Sequence, residues 1–281
     1  MTGHDANKAK TARRVIEVLE FFDEHRRHAT VMEIARRYNR PQSSTSELLA
    51  ILVEMGLLYK DPASRSYTPT PRAAMLGSVA QPSLVRDGRL SMLIDQLVAQ
   101  TGLGMTLMGI VGLDTQIFRW TRGSSPVATT TPNGLSGGLR ERLCDSAAGW
   151  LLLSTIAPER RDGMVRRLRA ETPSDRSFNQ GDLSERIHDC KRQGHVVGPV
   201  GFGAKAQICA VLLSTEPGHR PMVLGFVYEP HDRIDPSGLV TLLHKSVQAC
   251  ASPTSVEPEH LPSIAAAARP SRIAAELYAP A

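Results

Sequence analysis

Residues 40–69 read RPQSSTSELLAILVEMGLLYKDPASRSYTP and hold the pattern that decides the fold. The stretch opens with small polar residues, continues with leucines at helical spacing and ends in a short basic turn. Pro41 suits the first position of a helix, because its missing N–H has no partner to lose there, and Gly56 suits the position after a helix. The spacing predicts a helix that ends near Met55, with Gln42–Ser46 in its exposed first turns and its later leucines buried.

The residues after this helix predict a short hairpin. Leu57–Lys60 and Tyr67–Pro69 have the aliphatic and aromatic composition of strands. Between them lies Asp61–Arg65, whose proline and small polar residues are typical of a turn. A hairpin that directly follows a helix of this kind is predicted to form a wing, with Arg65 as its basic tip.

Two more helices are predicted before Arg40. In residues 11–24, TARRVIEVLEFFDE, apolar side chains recur at helical spacing and most charged ones fall on the other face. Thr30 followed by Glu33 is the capping-box pattern that starts a second, short helix. Three short helices and a hairpin predict a winged helix-turn-helix domain over residues 11–80, after a disordered N-terminus over residues 1–10.

The third helix has the composition of a DNA-recognition helix. Small polar side chains at a helix N-terminus can approach phosphates and base edges closely, and the N–H groups there attract anions. The alternative interpretation is that the serines only cap and solvate the helix, which is a common use of serine. The predicted DNA-contacting residues are Thr30, Arg40, Gln42, Ser43, Ser44, Thr45, Ser46, Glu47 and Arg65.

Charge decides how such a domain could bind DNA. The whole chain carries +5, and residues 1–80 hold 12 Lys and Arg against 9 Asp and Glu, a net charge of +3. One copy of so mildly basic a segment would bind a polyanion weakly. We therefore expect a homodimer or homotetramer that binds a partly palindromic double-stranded operator.

Composition is that of a soluble globular protein, with 41% hydrophobic and 22% charged residues in 281. No run of about 18 uncharged apolar residues occurs, and the first ten residues lack the apolar core of a signal peptide. We expect a cytoplasmic protein without membrane contact. The four cysteines at 144, 190, 209 and 250 are widely spaced and include no CxxC pair, so free thiols are expected.

The rest of the chain divides into three parts. Residues 81–102 form a linker, with a helix predicted over residues 87–100. Residues 103–250 alternate strand and helix patterns, which predicts an α/β domain and gives the chain an α+β fold. Residues 251–281 contain five prolines and nine alanines, a composition that favours a disordered tail.

The order of these elements resembles the isocitrate lyase regulator (IclR) family of bacterial transcription factors. Arg40–Leu49 has the proline, serine and double leucine of the family's recognition segment. Leu52–Leu58, Asp61-Pro62 and Tyr67 match its helix end and wing. The resemblance covers about residues 12 to 250 and implies a C-terminal GAF-like domain, a curved antiparallel sheet flanked by helices that binds a small-molecule effector.

Three positions depart from the family pattern. Gln42, Ser46 and Glu47 stand where the family has basic or imidazole side chains. Glu47 would repel phosphate and can only accept hydrogen bonds, for example from cytosine N4. These substitutions bear on which operator sequence the chain would read.

An effector pocket is predicted between the sheet and the helix that begins near Cys144. A helix N-terminus suits a carboxylate ligand, and Ser146 could add a hydrogen bond, although Asp145 could instead cap the helix itself. The expected ligand is small and partly apolar, such as a carboxylate or an aromatic acid. The predicted lining residues are Met105, Leu107, Cys144, Asp145, Ser146, Ile208 and Cys209.

Catalytic and metal chemistry are not favoured. A hydrolase would use Cys144 or Ser146 with His188 or His195, but no G-x-S-x-G elbow is present. Zinc binding by cysteine and histidine is disfavoured because His188 and Cys190 can hardly face one ion from a helix. We expect no catalytic residue, no metal and no cofactor. Two alternatives remain: a winged-helix regulator whose second domain only oligomerises, and a small-molecule enzyme with an accessory winged helix.

Overall fold

The computed structural model describes residues 3–23, 26–131, 134–172, 178–213, 218–230 and 234–251. The chain divides into two compact units, the first built mainly from residues up to Arg89 and the second from residues after it. The predicted tail over residues 251–281 lies outside the described residues, apart from Ala251 at the end of the last helix.

The first unit contains the predicted three helices and hairpin. Its elements are α1 (Gly3–Glu20), α2 (Val31–Arg37), α3 (Gln42–Glu54), β1 (Leu58–Lys60) and β2 (Tyr67–Pro69), followed by α4 (Pro71–Met75), a 3-10 turn (Ser78–Ala80) and α5 (Ser83–Arg86). The strands pair antiparallel, and Ala29 bridges to Tyr67 so that the hairpin joins the helices. These helices and this hairpin form a winged helix-turn-helix.

Local sequence explains how these elements start and stop. Thr30 and Glu33 form the predicted capping box at α2. Pro41 occupies the N-cap of α3, and Gly56 follows the helix with a φ of 71°, which glycine adopts without strain. Helix α1 begins eight residues earlier than predicted, at Gly3, because His4–Lys10 contains neither Gly nor Pro and is rich in Ala and Lys.

One apolar core holds the first unit together. It is formed where α1, α2, α3 and the hairpin meet, and the leucines predicted to lie inside α3 are part of it. Its buried members are Val18, Phe21, Ala29, Ile34, Leu48, Leu49, Leu52, Leu57, Leu58 and Tyr67.

The second unit is a six-stranded antiparallel sheet flanked by helices. The strands are β3 (Gly104–Val111), β4 (Asp114–Thr121), β5 (Arg140–Arg142), β6 (His195–Pro199), β7 (Gln207–Leu213) and β8 (Met222–Tyr228), in the order β5-β4-β3-β8-β7-β6. The helices are α6 (Arg89–Thr101), α7 (Ala147–Ser154), α8 (Pro158–Glu171), α9 (Gln180–Gln193) and α10 (Pro236–Ala251). The predicted α+β fold class is confirmed.

The sheet has two buried faces. On the face that we call the α7 face, Ile208 and Val227 share a core cluster with α7, and a Cβ at Gly198 would meet Ala147 and Trp150. On the opposite face, called the α10 face, Cys209 Sγ lies 3.7 Å from the Pro236 carbonyl oxygen at the start of α10. Neighbouring residues on one strand therefore belong to different cores.

Helix α6 is joined to the α10 face. Arg119 of β4 donates to Asp95 of α6 at 2.6 Å. The buried residues of α6 are Leu90, Ile94 and Leu97. The predicted linker helix thus forms part of the second unit.

Candidate nucleic-acid interface and ligand pocket

One side of α3 is exposed and consists mainly of polar residues. Its members are spaced as neighbours on a helix and all of them are exposed. We call this set the α3 stripe, and it consists of Gln42, Ser43, Ser46, Glu47 and Ala50. Four of the five are predicted DNA-contacting residues, so the helix presents mainly hydroxyl, amide and carboxylate groups on one surface.

The two predicted residues between these positions face inward. Thr45 is only 3% exposed and its hydroxyl donates to the Pro41 carbonyl oxygen at 2.9 Å, which corrects the expectation that the whole first turn is exposed. Ser44 is half-buried; its hydroxyl also donates to Pro41 O, at 3.3 Å, and accepts a hydrogen bond from Arg14. Both hydroxyl groups therefore form hydrogen bonds within the protein.

Two further predicted residues have local partners. Arg40 forms an ion pair with Glu17 and lies 5.4 Å from the centre of the Tyr38 ring. The Thr30 hydroxyl takes part in the capping box with Glu33, whose carboxylate accepts from it at 2.8 Å. These contacts tie α1, α2 and the start of α3 together.

The wing tip is a hydrogen-bonded turn that displays Arg65. The Asp61 carboxylate accepts hydrogen bonds from the Ala63 N–H at 2.9 Å and the Ser64 hydroxyl at 2.7 Å, and these bonds lower the pKa of Asp61. Arg65 has a φ of 55° and an exposed side chain, and its N–H donates to Asp61 O. The turn holds a cation at the end of the hairpin.

In the second unit the sheet separates the residues predicted to line one pocket. Met105, Leu107 and Cys209 alternate with residues of the α7 face and point to the α10 face. Ile208 lies on the α7 face together with Cys144. The register therefore does not bring the predicted apolar wall to the start of α7, because a one-residue step along a strand changes the face.

The start of α7 is also closed to a ligand. Ser146 is 0% exposed, and its hydroxyl is the N-cap of α7, accepting from the Gly149 N–H at 3.2 Å. Asp145, proposed as an alternative cap, is instead paired with Arg142 at 2.7 Å. The helix N-terminus already has its hydrogen-bond acceptor.

A pocket of about 200 Å³ lies close by, between α7 and the start of α9. Cys144 is one of its walls, so one predicted lining residue is present. Arg186 lies over the Trp150 ring at 4.2 Å from its centre, and the Trp150 indole N–H donates to Cys144 O at 2.8 Å. The full lining is Cys144, Trp150, Phe178, Asn179, Asp182, Leu183 and Arg186.

This pocket offers aromatic surface and one guanidinium to a ligand. Within the described part of the chain, neither Arg186 nor Asp182 forms an ion pair, although they lie one turn apart on α9. The sequence analysis did not predict this pocket. Its only sequence signal is Asp182-x-x-x-Arg186 after Phe178, and the same spacing occurs on ordinary solvent-exposed helix turns.

The residues considered for catalysis do not form a nucleophile and base. Burial and the Asp145 carboxylate raise the pKa of Cys144 to about 12, so the thiol is protonated at neutral pH and is a weak nucleophile. His195 lies on the α10 face beside His244, with ring centres 6.0 Å apart. Over the residues that the structure covers, no cluster of three or more potential metal ligands occurs, and no helix is long and apolar enough to span a bilayer.

The sequence analysis did not single out Arg14 as a residue near the start of α3. It lies on α1, outside the helix-turn-helix segments that were considered for DNA contact, yet its guanidinium reaches Ser44 of α3 at 2.9 Å. A signal was available in the Arg13-Arg14 pair, but charged residues on an amphipathic helix are usually only solvated.

Comparison with known proteins identifies the first unit. The family model for the IclR helix-turn-helix domain matches residues 11–62. An IclR homologue from Microbacterium hydrocarbonoxydans, solved with 4-hydroxybenzoate, is 20% identical, with a TM-score of 0.52 over 85% of this chain and 97% of its own. No curated protein matches the chain.

Two further solved structures have the same fold. IclR from Thermotoga maritima is 16% identical, with a TM-score of 0.52 over 86% of this chain and 96% of its own. An IclR transcriptional regulator from Alicyclobacillus acidocaldarius is 18% identical, with a TM-score of 0.52 over 87% and 95%. As the resemblance implied, the chain carries an IclR helix-turn-helix domain at residues 11–62 and has the fold of IclR-family transcriptional regulators.

Proposed function

We propose that the chain is a transcriptional regulator that binds a partly palindromic DNA operator as a homo-oligomer and responds to a small-molecule effector. The observation that carries the DNA-binding part is the α3 stripe, in a domain that matches the IclR helix-turn-helix model. Its polar side chains can read base edges in the major groove, while Arg65 on the wing contacts the backbone or minor groove.

DNA selection from a random-sequence pool tests this proposal. Wild-type protein should enrich a sequence with two related half-sites. Replacing Ser46 of the stripe with Ala should weaken binding to that duplex by about 1–3 kcal/mol, because a base contact is lost. Ser184→Ala, which changes an exposed serine on α9, is the matched control. Enrichment of no sequence at low salt would refute DNA reading.

The effector is assigned to the pocket between α7 and α9. A flat ring would lie in the pocket beside Phe178, and a carboxylate would pair with the Arg186 guanidinium, which lies over the Trp150 ring. This suits an aromatic acid, the ligand class of the Microbacterium structure, which holds 4-hydroxybenzoate. Met105, Leu107 and Cys209 on the other face of the sheet would then support the fold instead of touching the ligand.

Calorimetry with 4-hydroxybenzoate and benzoate tests the pocket. Arg186→Gln should weaken binding about tenfold or more, because a charge-assisted hydrogen bond is lost. Arg166→Gln removes one exposed arginine on α8 and controls for net charge. Equal affinities in the two variants would place the carboxylate elsewhere.

A further inference from the structure

Arg14 of α1 has hydrogen-bonding capacity that the protein does not use. Its Nη2 donates to Ser44 Oγ of α3 at 2.9 Å. The side chain is half-buried, and Nε is buried without an acceptor among the described residues. Leaving a donor of a charged group unpaired and shielded from water costs free energy.

The charge of Arg14 is also without a counterion in the part of the chain that the structure describes. The carboxylate nearest along α1, Glu17, lies one turn away but is paired with Arg40. The first turn of α3 carries no acidic residue, and the N-terminal end of a helix adds partial positive charge of its own. A half-buried guanidinium in such surroundings is stabilised when an anion approaches.

We propose that Arg14 is a ligand for a DNA phosphate, so that α1 takes part in binding together with α3 and the wing. A phosphate accepts two parallel hydrogen bonds from a guanidinium, here from Nη1 and Nη2, and would supply the counterion that Arg14 lacks among the described residues. Ser44, which Arg14 holds, adjoins Ser43 of the α3 stripe. The site therefore lies at the margin of the reading surface, where the DNA backbone would pass. This inference rests on the proposed DNA binding.

The test compares Arg14→Gln with Arg13→Gln. Glutamine removes the charge but is shorter than arginine, so the hydrogen bond to Ser44 is lost as well, and Ser44→Ala controls for that loss. Arg13 is exposed on the same helix and loses the same charge. The probes are the duplex selected from a random pool by wild-type protein and an unselected duplex of equal length, titrated over a range of salt concentrations.

Arg14→Gln should weaken binding to both duplexes about tenfold. It should also reduce the slope of log affinity against log salt by about 0.9 for each DNA-binding unit that contacts the duplex. Arg13→Gln should leave the slope unchanged. Arg14→Lys keeps the charge and should retain the slope, which gives a second measurement if the glutamine variant folds poorly. The melting temperature of Arg14→Gln should equal or exceed that of wild type, because an uncompensated cation has been removed.

Ser44→Ala separates the phosphate role from a merely structural one. If Arg14 acted only by holding Ser44, Ser44→Ala and Arg14→Gln would change binding equally and neither would alter the salt slope. We expect Ser44→Ala to keep the wild-type slope and Arg14→Gln to reduce it by about 0.9 for each DNA-binding unit. If wild type selects DNA but Arg14→Gln binds like wild type, or Arg13→Gln lowers the slope as much, the phosphate role is overturned while DNA reading stands. If wild type selects no sequence, the proposed function fails first.

Discussion

Consecutive polar residues at the start of α3 perform different tasks. Ser43 and Ser46 are exposed on the α3 stripe, while Ser44 and Thr45 hydrogen-bond to the Pro41 carbonyl oxygen. The helical repeat of 3.6 residues divides a run that looks uniform in the sequence. Residue type alone therefore does not identify a DNA-contacting serine.

Ser146, like Ser44 and Thr45, uses its hydroxyl for a hydrogen bond within the protein. Its hydroxyl caps α7 through the Gly149 N–H, so Ser146→Ala should lower the free energy of unfolding by about 1 kcal/mol. Affinity for 4-hydroxybenzoate should stay unchanged at temperatures where the variant is folded. Denaturant unfolding followed by the fluorescence of Trp120 and Trp150, both in the second unit, with parallel calorimetry, measures the two quantities. If the variant had wild-type stability but bound the ligand more weakly, Ser146 would be a ligand-binding residue and not a structural one.

At the scale of elements, the capping box makes the stability of α2 depend on pH. Hydrogen bonds from the Thr30 N–H and hydroxyl lower the pKa of the Glu33 carboxyl. A lowered pKa in the folded state means that the carboxylate stabilises α2 above its ordinary pKa of about 4.3. This contribution is lost as the pH falls through the lowered value.

Glu33→Ala should therefore destabilise α2 by about 1 kcal/mol at neutral pH, and the difference from wild type should shrink below about pH 4. Hydrogen-exchange protection of the α2 amides measures this difference in the stability of α2. Met32→Ala, at an exposed apolar residue of the same helix, is the matched control, because it removes no titratable group. A constant difference between wild type and Glu33→Ala over the whole pH range would show that the carboxylate charge is not involved.

The elements of the first unit could be predicted well because their signals are local. The Thr30–Glu33 box, Pro41 and Gly56 each mark an element end by their own backbone chemistry. The predicted ligand wall could not be right in detail, because Met105 and Ile208 belong to opposite faces of the sheet. That depends on strand register across distant segments, and a pattern of apolar residues buried on both faces gives no sign of which face each one takes.

At the scale of the whole molecule, mild charge limits what one DNA-binding unit can do. Residues 1–80 carry a net charge of +3, so paired units should be needed for tight binding. A duplex with two half-sites should show a salt slope about twice that of a duplex with one, since each neutralised phosphate contributes about 0.9. Fluorescence anisotropy between about 50 and 200 mM salt measures both slopes. Equal slopes for the two duplexes would mean that a single unit binds DNA.

The two-faced sheet of the second unit bears on how such a protein could evolve. Ile208, on the side of the proposed ligand pocket, is followed by Cys209, on the side of α10. Substitutions at alternate positions can therefore repack the core beneath α7, next to the proposed pocket, while leaving the opposite core, and with it α6, as it was. The packing of the two faces can therefore vary separately, so a lineage, or a laboratory library restricted to one face, can reshape one core without disturbing the other.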